Sequence, residues 1–234
     1  MRLPVFVVKF HRWLGLVLGL QVVLWISGGL VMSAVPLERV RGEDRSQGAA
    51  PPSIPASTPL LSPTAAAKAL GYPAVSGARL VWRLGHPAWR LETPAGAVHV
   101  DATTGNAMAD LTAPEARAVA VADYSGDAPV ASVALQEDAT LEIRGLTPPL
   151  WRVDFADGRR TTIYVDPASG EIAARRNLLW RVYDVFWMLH IMDYRARDDF
   201  NHSLLVGSAA TAWFLALTGL WLVVLWLRRR ARRS

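Results

Sequence analysis

Two stretches of the chain carry no charged side chain, residues 13–37 and residues 203–227. Each is twenty-five residues long, enough to cross a hydrocarbon core of ~30 Å at ~1.5 Å per residue. Between them the pattern changes. Residues 38–62 begin charge-rich, from Glu38 to Arg45, and then carry Pro51, Pro52, Pro55 and Pro59 among Ala and Ser, which predicts an extended, exported linker. Ala-rich helical patterns near 64–71 and 114–123 follow, with Pro63 and Pro114 at first-turn positions where a missing N–H costs nothing. Runs of period two come after each helix, and further strands are expected at 79–84 and 139–144.

The middle region repeats itself. Residues 89–105 read WRLETPAGAVHVDATTG and residues 151–170 read WRVDFADGRRTTIYVDPASG. Asp101 and Asp166 stand 65 residues apart, as do Gly105 and Gly170, while Trp89 and Trp151 stand 62 apart, so the second hairpin loop is three residues longer. Each unit reads as a helix followed by about three antiparallel strands. The Asp-x-x-(Thr/Ser)-Gly pieces have turn chemistry, in which Asp caps the turn and Gly supplies a positive φ. They read as turns, not as catalytic carboxylates.

Charge fixes a topology. Arg2, Lys9 and Arg12 give the first thirteen residues +3, and Arg228, Arg229, Arg230, Arg232 and Arg233 give the end of the chain +5. The whole chain is +5, so the remainder carries −3. The basic character belongs to the ends that abut the spans, which argues against nucleic-acid binding. The positive-inside rule places both ends in the cytoplasm and residues 38–202 outside. The first apolar run is longer than the 7–15 residues of a signal-peptide core, so it is expected to remain as an anchor. Ten tryptophans and 52% hydrophobic residues exclude a disordered chain, and the absence of cysteine excludes disulfides and thiolate sites.

A family resemblance rests on these pieces. Lys9-Phe10-His11-Arg12-Trp13-Leu14-Gly15 and Trp25-Ile26-Ser27-Gly28-Gly29-Leu30-Val31-Met32 at the first span, with Leu189-His190-Ile191-Met192-Asp193-Tyr194 and Asp199-Phe200-Asn201-His202 before the second, resemble the PepSY-associated transmembrane family. The two repeats are similar to PepSY domains, small α+β modules also found in propeptides of secreted metalloproteases. The resemblance implies a bacterial inner-membrane α+β protein, with two transmembrane helices flanking a periplasmic tandem of helix-plus-antiparallel-sheet units. The expected segments are a cytoplasmic start (1–12), span one (13–37), linker (38–62), unit one (63–110), unit two (111–177), an amphipathic interfacial helix and turn (178–201), span two (202–227) and a basic tail (228–234). Larger members have four spans, carry b-type haem and reduce ferric siderophores. By resemblance, this chain would serve as a ferric-chelate reductase component passing electrons to a periplasmic acceptor.

Five histidines could bear that chemistry. His86 reads as a loop residue, and His99 faces solvent if Val98 and Val100 face inward. His11 lies just inside the first span, on a face that continues through Gly15, Leu18, Gly19 and Val22. It is either an interfacial residue beside packing glycines or a ligand beside a porphyrin edge. His190 ends the aromatic-rich segment 178–190, and His202 opens span two. Haem b needs neutral imidazoles at an apolar slot. On one unbroken helix His190 and His202 would be ~18 Å and ~120° apart, so a shared iron requires a break through Tyr194–Asn201. If the chain is a haem reductase component, as the resemblance implies, the expected haem-iron ligands are His190 with His202 on the outer side, and His11 on the inner side only where a homodimer or larger membrane complex supplies the second imidazole. Tyr183, Phe186 and Trp187 would line the outer slot. Gln21 is the one strongly polar side chain inside span one, and Ser208, Ala212 and Ala216 suit close packing in span two. A metal-dependent hydrolase is disfavoured, because no His-x-x-x-His pair is present. The competing reading is a cofactor-free, membrane-anchored module that binds a periplasmic protein, or an accessory subunit of a membrane complex.

The topology has a direct test. Reporter fusions after Arg233 and within residues 49–59 should show opposite activities, the first cytoplasmic and the second exported; an externally active C-terminal fusion refutes the arrangement.

Overall fold

A computed structural model describes residues 3–48 and 53–232. Arg2 and Arg233 of the basic ends and Pro51 and Pro52 of the linker lie outside the described residues. In chain order the elements are α1 (Leu3–Ala34), α2 (Leu37–Val40), α3 (Pro63–Ala69), β1 (Gly77–Arg83), β2 (His86–Thr93), β3 (Gly96–Asp101), α4 (Ala113–Asp123), β4 (Val130–Gln136), β5 (Leu150–Phe155), β6 (Thr162–Val165), β7 (Ile172–Arg176), α5 (Leu178–Ile191) and α6 (Ser203–Ala231). They form two compact units, one from residues up to Pro36 and from Arg181 onward, the other from Leu37–Trp180.

In the first unit α1 packs on α6. Leu14, Leu18, Gln21, Trp25 and Gly28 of α1 are half-buried or buried, as are Leu205, Ser208, Ala212, Leu215, Gly219 and Leu222 of α6. These spacings of three and four residues make one facing stripe per helix. A Cβ on Gly15 would stand 3.9 Å from Leu215 Cδ1, so the glycine lets the helices come close. The outward faces are apolar and bare, with Leu16 at 72%, Val17 at 75% and Leu20 at 73% exposure. Water would not tolerate so continuous an apolar surface, whereas a bilayer requires it. Val5–Ala34 and Ser203–Ala231 are both long and apolar enough to cross one.

The second unit holds two antiparallel sheets, β1-β2-β3 and β4-β5-β6-β7. The repeat is visible bond for bond. Trp89 Nε1 donates to Leu61 O at 2.8 Å, and Trp151 Nε1 to Leu111 O at 2.7 Å. Leu61 N donates to Ala102 O, and Leu111 N to Pro167 O, both at 2.8 Å. Asp101 Oδ1 accepts from the backbone of Thr103 and Thr104, and Asp166 Oδ1 from Ala168 and Ser169. Gly105 and Gly170 close these turns at φ +77° and +74°, a conformation a Cβ disfavours. The Thr103 hydroxyl and the turn N–H groups hold the Asp101 carboxyl down to about 2. Each sheet buries one face under its own helix: Leu91 and Val100 against Ala66 and Ala67, and Val153 and Val165 against Ala116 and Ala120.

Four expectations need correction. The strand expected at 139–144 is a 3-10 turn, Leu141–Ile143; the counterpart of β1 is β4, and β7 makes the second sheet four-stranded where three strands were expected. The segment alternates because it lies over the back of the second sheet. Ile143 inserts beside Leu150, Tyr164 and Ala174, and Glu142 accepts from the Tyr164 hydroxyl at 2.9 Å. Burial and this carboxylate push Tyr164 up to about 12. His86 is exposed and begins β2 instead of lying in the loop.

The start of the linker is docked, not extended. Val40 is buried, Asn177 Nδ2 donates to Arg39 O at 3.0 Å, and Ser46 Oγ donates to Asp123 Oδ1 at 2.7 Å. Asp123 also receives both arms of the Arg175 guanidinium, a geometry that fixes orientation as well as charge.

His99 is buried, not solvent-facing, at 7% exposure. Alternation assigned its face correctly, but the second repeat covers that side. Arg83, 2% exposed, donates to Ala109 O of its own repeat and to Pro167 O of the other, and Arg79 pairs with Glu171 at 3.2 Å. His99 Nε2 has no hydrogen-bond partner. Burial first, then Arg83 and Arg90, lowers its proton affinity against the weaker pull of Asp166 and Glu171.

The sign follows from linkage. The folded pKa lies below the unfolded 6.5, so the unfolded chain takes the proton first and stability falls as pH drops below that value. The detergent-solubilised protein should therefore lose thermal stability of its sheet unit between pH 7 and pH 5, and His99→Leu should flatten that slope. An unchanged slope would mean the imidazole does not titrate against folding.

Candidate functional site

The membrane unit concentrates its polar side chains at the end of α5. A helix leaves its last four carbonyls without intrahelical partners, so each needs a partner from outside the helix. Three consecutive carbonyls of α5 are each met by a side chain. Gln21 Nε2 donates to Leu189 O at 3.1 Å, Trp25 Nε1 to His190 O at 2.7 Å, and His202 Nε2 bonds Ile191 O at 2.9 Å. Gln21 and Trp25 are one turn apart on α1, so one face of that helix supplies two of the three.

The helix ends at Ile191 and α6 begins at Ser203, a connection that includes the Tyr194–Asn201 segment where a shared iron would require a break. Asp193 organises the connection, accepting backbone N–H bonds from Arg195, Ala196, Asp198 and Asp199. Those bonds hold its carboxyl down to about 2. Arg197 pairs with buried Asp184 at 2.5 Å and its carbonyl accepts from Trp187 Nε1 at 2.8 Å. Trp187 thus serves the connection.

The break brings the His202 ring to the residue next to His190, but His202 has no nitrogen to spare in this arrangement. Its Nδ1 accepts from Leu205 N at 3.3 Å as the N-cap of α6. Because Nδ1 accepts, the proton sits on Nε2 and is donated to Ile191 O. One imidazole closes the C-terminus of α5 and opens α6. The two-histidine clamp on one iron is therefore not preformed within the chain.

His190 and His11 are placed differently, each against a glycine. A Cβ on Gly28 would stand 3.4 Å from His190 Nδ1 and 3.5 Å from Phe186 O, the carbonyl one turn before it. Nδ1 is buried without a hydrogen-bond partner. With Nδ1 walled in by α1, a ligand would reach this ring through Nε2. His11 Nδ1 is 2.8 Å from Thr218 Oγ1, whose own proton goes to Leu215 O at 2.9 Å. His11 is therefore the donor from Nδ1, which leaves a lone pair on Nε2. A Cβ on Gly219 would stand 3.1 Å from His11 Cε1, so a larger residue would push the ring off α6. Anchoring one imidazole nitrogen and leaving the other free is how proteins orient metal-binding histidines.

His190 and His11 are thus the rings that would be left to hold a haem iron were one bound, whereas His202 positions the helix ends. His11 and the Gly28 position under His190 are seventeen residues apart on α1, or ~26 Å, so they mark opposite ends of the unit. Among the described residues, no three His or carboxylate side chains cluster as a protein-ligated metal centre would need. Gly28 and Trp25 stood in the sequence motif without an assigned role. Thr218 and Gly219 carried no signal, because their partner is 207 residues away.

These features define a membrane-anchored α+β protein with two spans and a tandem sheet unit. A family model described as PepSY-associated TM region matches residues 8–234, and the chain belongs to that family. No curated protein and no solved structure matches it.

Removing the His202 ring orphans Ile191 O and Leu205 N together. His202→Ala should destabilise the detergent-solubilised protein by ~1–3 kcal/mol, measured by denaturant titration. His202→Asn, which can still cap α6, should recover part of the loss; equal stability of all three proteins would remove the ring from this role.

Proposed function

We propose that this PepSY-family protein is an electron-transfer component of the bacterial inner membrane, using b-type haem to carry electrons from the cytoplasmic side to a periplasmic acceptor such as a ferric chelate. The observation that carries the reading is the His190 ring, its Nδ1 buried and unpartnered on Gly28 and its carbonyl pinned by Trp25. His11 at the other end of α1 is likewise set against a glycine, Gly219, but there Nδ1 is bonded to Thr218.

Haem held at these two levels supplies one-electron chemistry on either side of the bilayer. Trp25 and Gln21 hold the end of α5, and with it His190, against α1. Thr218 sets the His11 tautomer so that Nε2 can bind. His202 keeps α6 in register with the end of α5. Each chain contributes one free imidazole at each level, so a homodimer completes both sites. Under this reading both basic ends are cytoplasmic and the sheet unit is periplasmic, where it meets the acceptor.

The test is haem per chain and the reduced-minus-oxidised spectrum of protein expressed with ample haem. His11→Ala and His190→Ala should each lose about half of the bound haem, one per site. His202→Asn, His86→Ala and His99→Ala should retain it. An unmutated protein without haem, or full retention in both ligand variants, overturns the reading in favour of a cofactor-free interaction module.

A further inference from the structure

The basic end of the membrane unit holds a cavity of about 490 Å³ between α1 and α6. From α1 it is lined by Val5, Val8, Lys9 and Arg12, and from α6 by Leu222, Leu225, Trp226 and Arg229. Both sets follow the spacing i, i+3, i+4, i+7, so one face of each helix builds the wall. Each face is part apolar and part cationic. Residues 1–37 and 203–234 contain no Asp or Glu, so the helix pair has no side-chain carboxylate to neutralise Lys9, Arg12 and Arg229. Trp226 sits beneath the Arg230 guanidinium, 5.5 Å from the ring centroid, and indole rings favour the headgroup level of a bilayer.

Such a groove asks for an occupant that is anionic at one part and apolar at another. Inorganic phosphate would satisfy the cations but leave Val5, Val8, Leu222 and Leu225 facing nothing. An acidic protein segment would have to enter at membrane depth. We propose that this groove is a binding site for an anionic phospholipid, its phosphate held by Lys9, Arg12 and Arg229 and its glycerol and upper acyl chains against the four aliphatic side chains. The site does not depend on haem or on which side of the membrane this end faces. It lies one residue from His11 in sequence, so a seated lipid would brace the helix face that carries that ring.

The test uses the full-length protein reconstituted in equal parts of phosphatidylcholine and phosphatidylglycerol, then released into detergent and analysed by native mass spectrometry for retained lipid. The unmutated protein should retain phosphatidylglycerol over phosphatidylcholine by about tenfold. The variant Lys9→Gln/Arg12→Gln/Arg229→Gln should lose that preference. A charge-matched control, Arg228→Gln/Arg232→Gln/Arg233→Gln, removes as much charge from the same end and none of the lining residues, and should keep it. Equal loss in the control would reduce the site to diffuse attraction by a basic tail and overturn the proposal. So would displacement of the retained lipid by millimolar inorganic phosphate, which would make the site a free-phosphate site. A Trp-fluorescence melt of each variant confirms that it is folded; should the triple variant prove unfolded, Arg12→Gln alone is read, with a partial loss expected and full retention overturning the site.

Discussion

The membrane unit depends on one constraint: the last carbonyls of α5 need partners from outside their own helix. Those of Leu189, His190 and Ile191 are taken by Gln21, Trp25 and His202. Two of these donors come from α1 and the third from the first residue before α6. The same three bonds therefore tie together every helix of the unit. Neutral hydrogen bonds are each worth only ~0.5–1.5 kcal/mol net, but leaving a buried carbonyl unmade costs more. The bonds act by making the alternatives expensive.

That constraint also sorts the histidines. His202 is consumed by backbone satisfaction, with both nitrogens engaged. His190 and His11 are each pinned on one side and left open on the other, and each rests on a glycine of a neighbouring helix. Small residues are ordinarily read as a means of bringing helices together. Here Gly28 and Gly219 make space for a ring, whereas Gly15 packs conventionally near Leu215.

What could be read in the sequence was what is local. Two uncharged runs predicted two spans, and the family match agrees. The Asp-x-x-(Thr/Ser)-Gly turns predicted their own hydrogen bonds, because Asp, the turn N–H groups and the positive-φ glycine lie within five residues. The break before His202 was expected only so that two histidines could share an iron, and the fold uses it to cap two helix ends instead. What failed was what another segment decides. His99 alternates correctly but is covered by the other repeat. Residues 141–143 alternate like a strand but serve as a lid, because Ile143 has a pocket and Glu142 a tyrosine. Thr218 and Gly219 could not be connected to His11 by any spacing rule. The haem assignment came from family resemblance, and the fold supplies for it two oriented rings, not a finished clamp.

Arg83 gives the tandem a property that neither repeat has alone. Its guanidinium is buried and bonds the backbone of both copies, at Ala109 and at Pro167. A buried cation stripped of half its acceptors is far costlier than an exposed one. The duplicated modules are consequently not beads that can be added, removed or exchanged one at a time. A chain cut between them would lose the Pro167 acceptor and the cover over Arg83 and His99 together, so the face that each copy presents is completed only by the other.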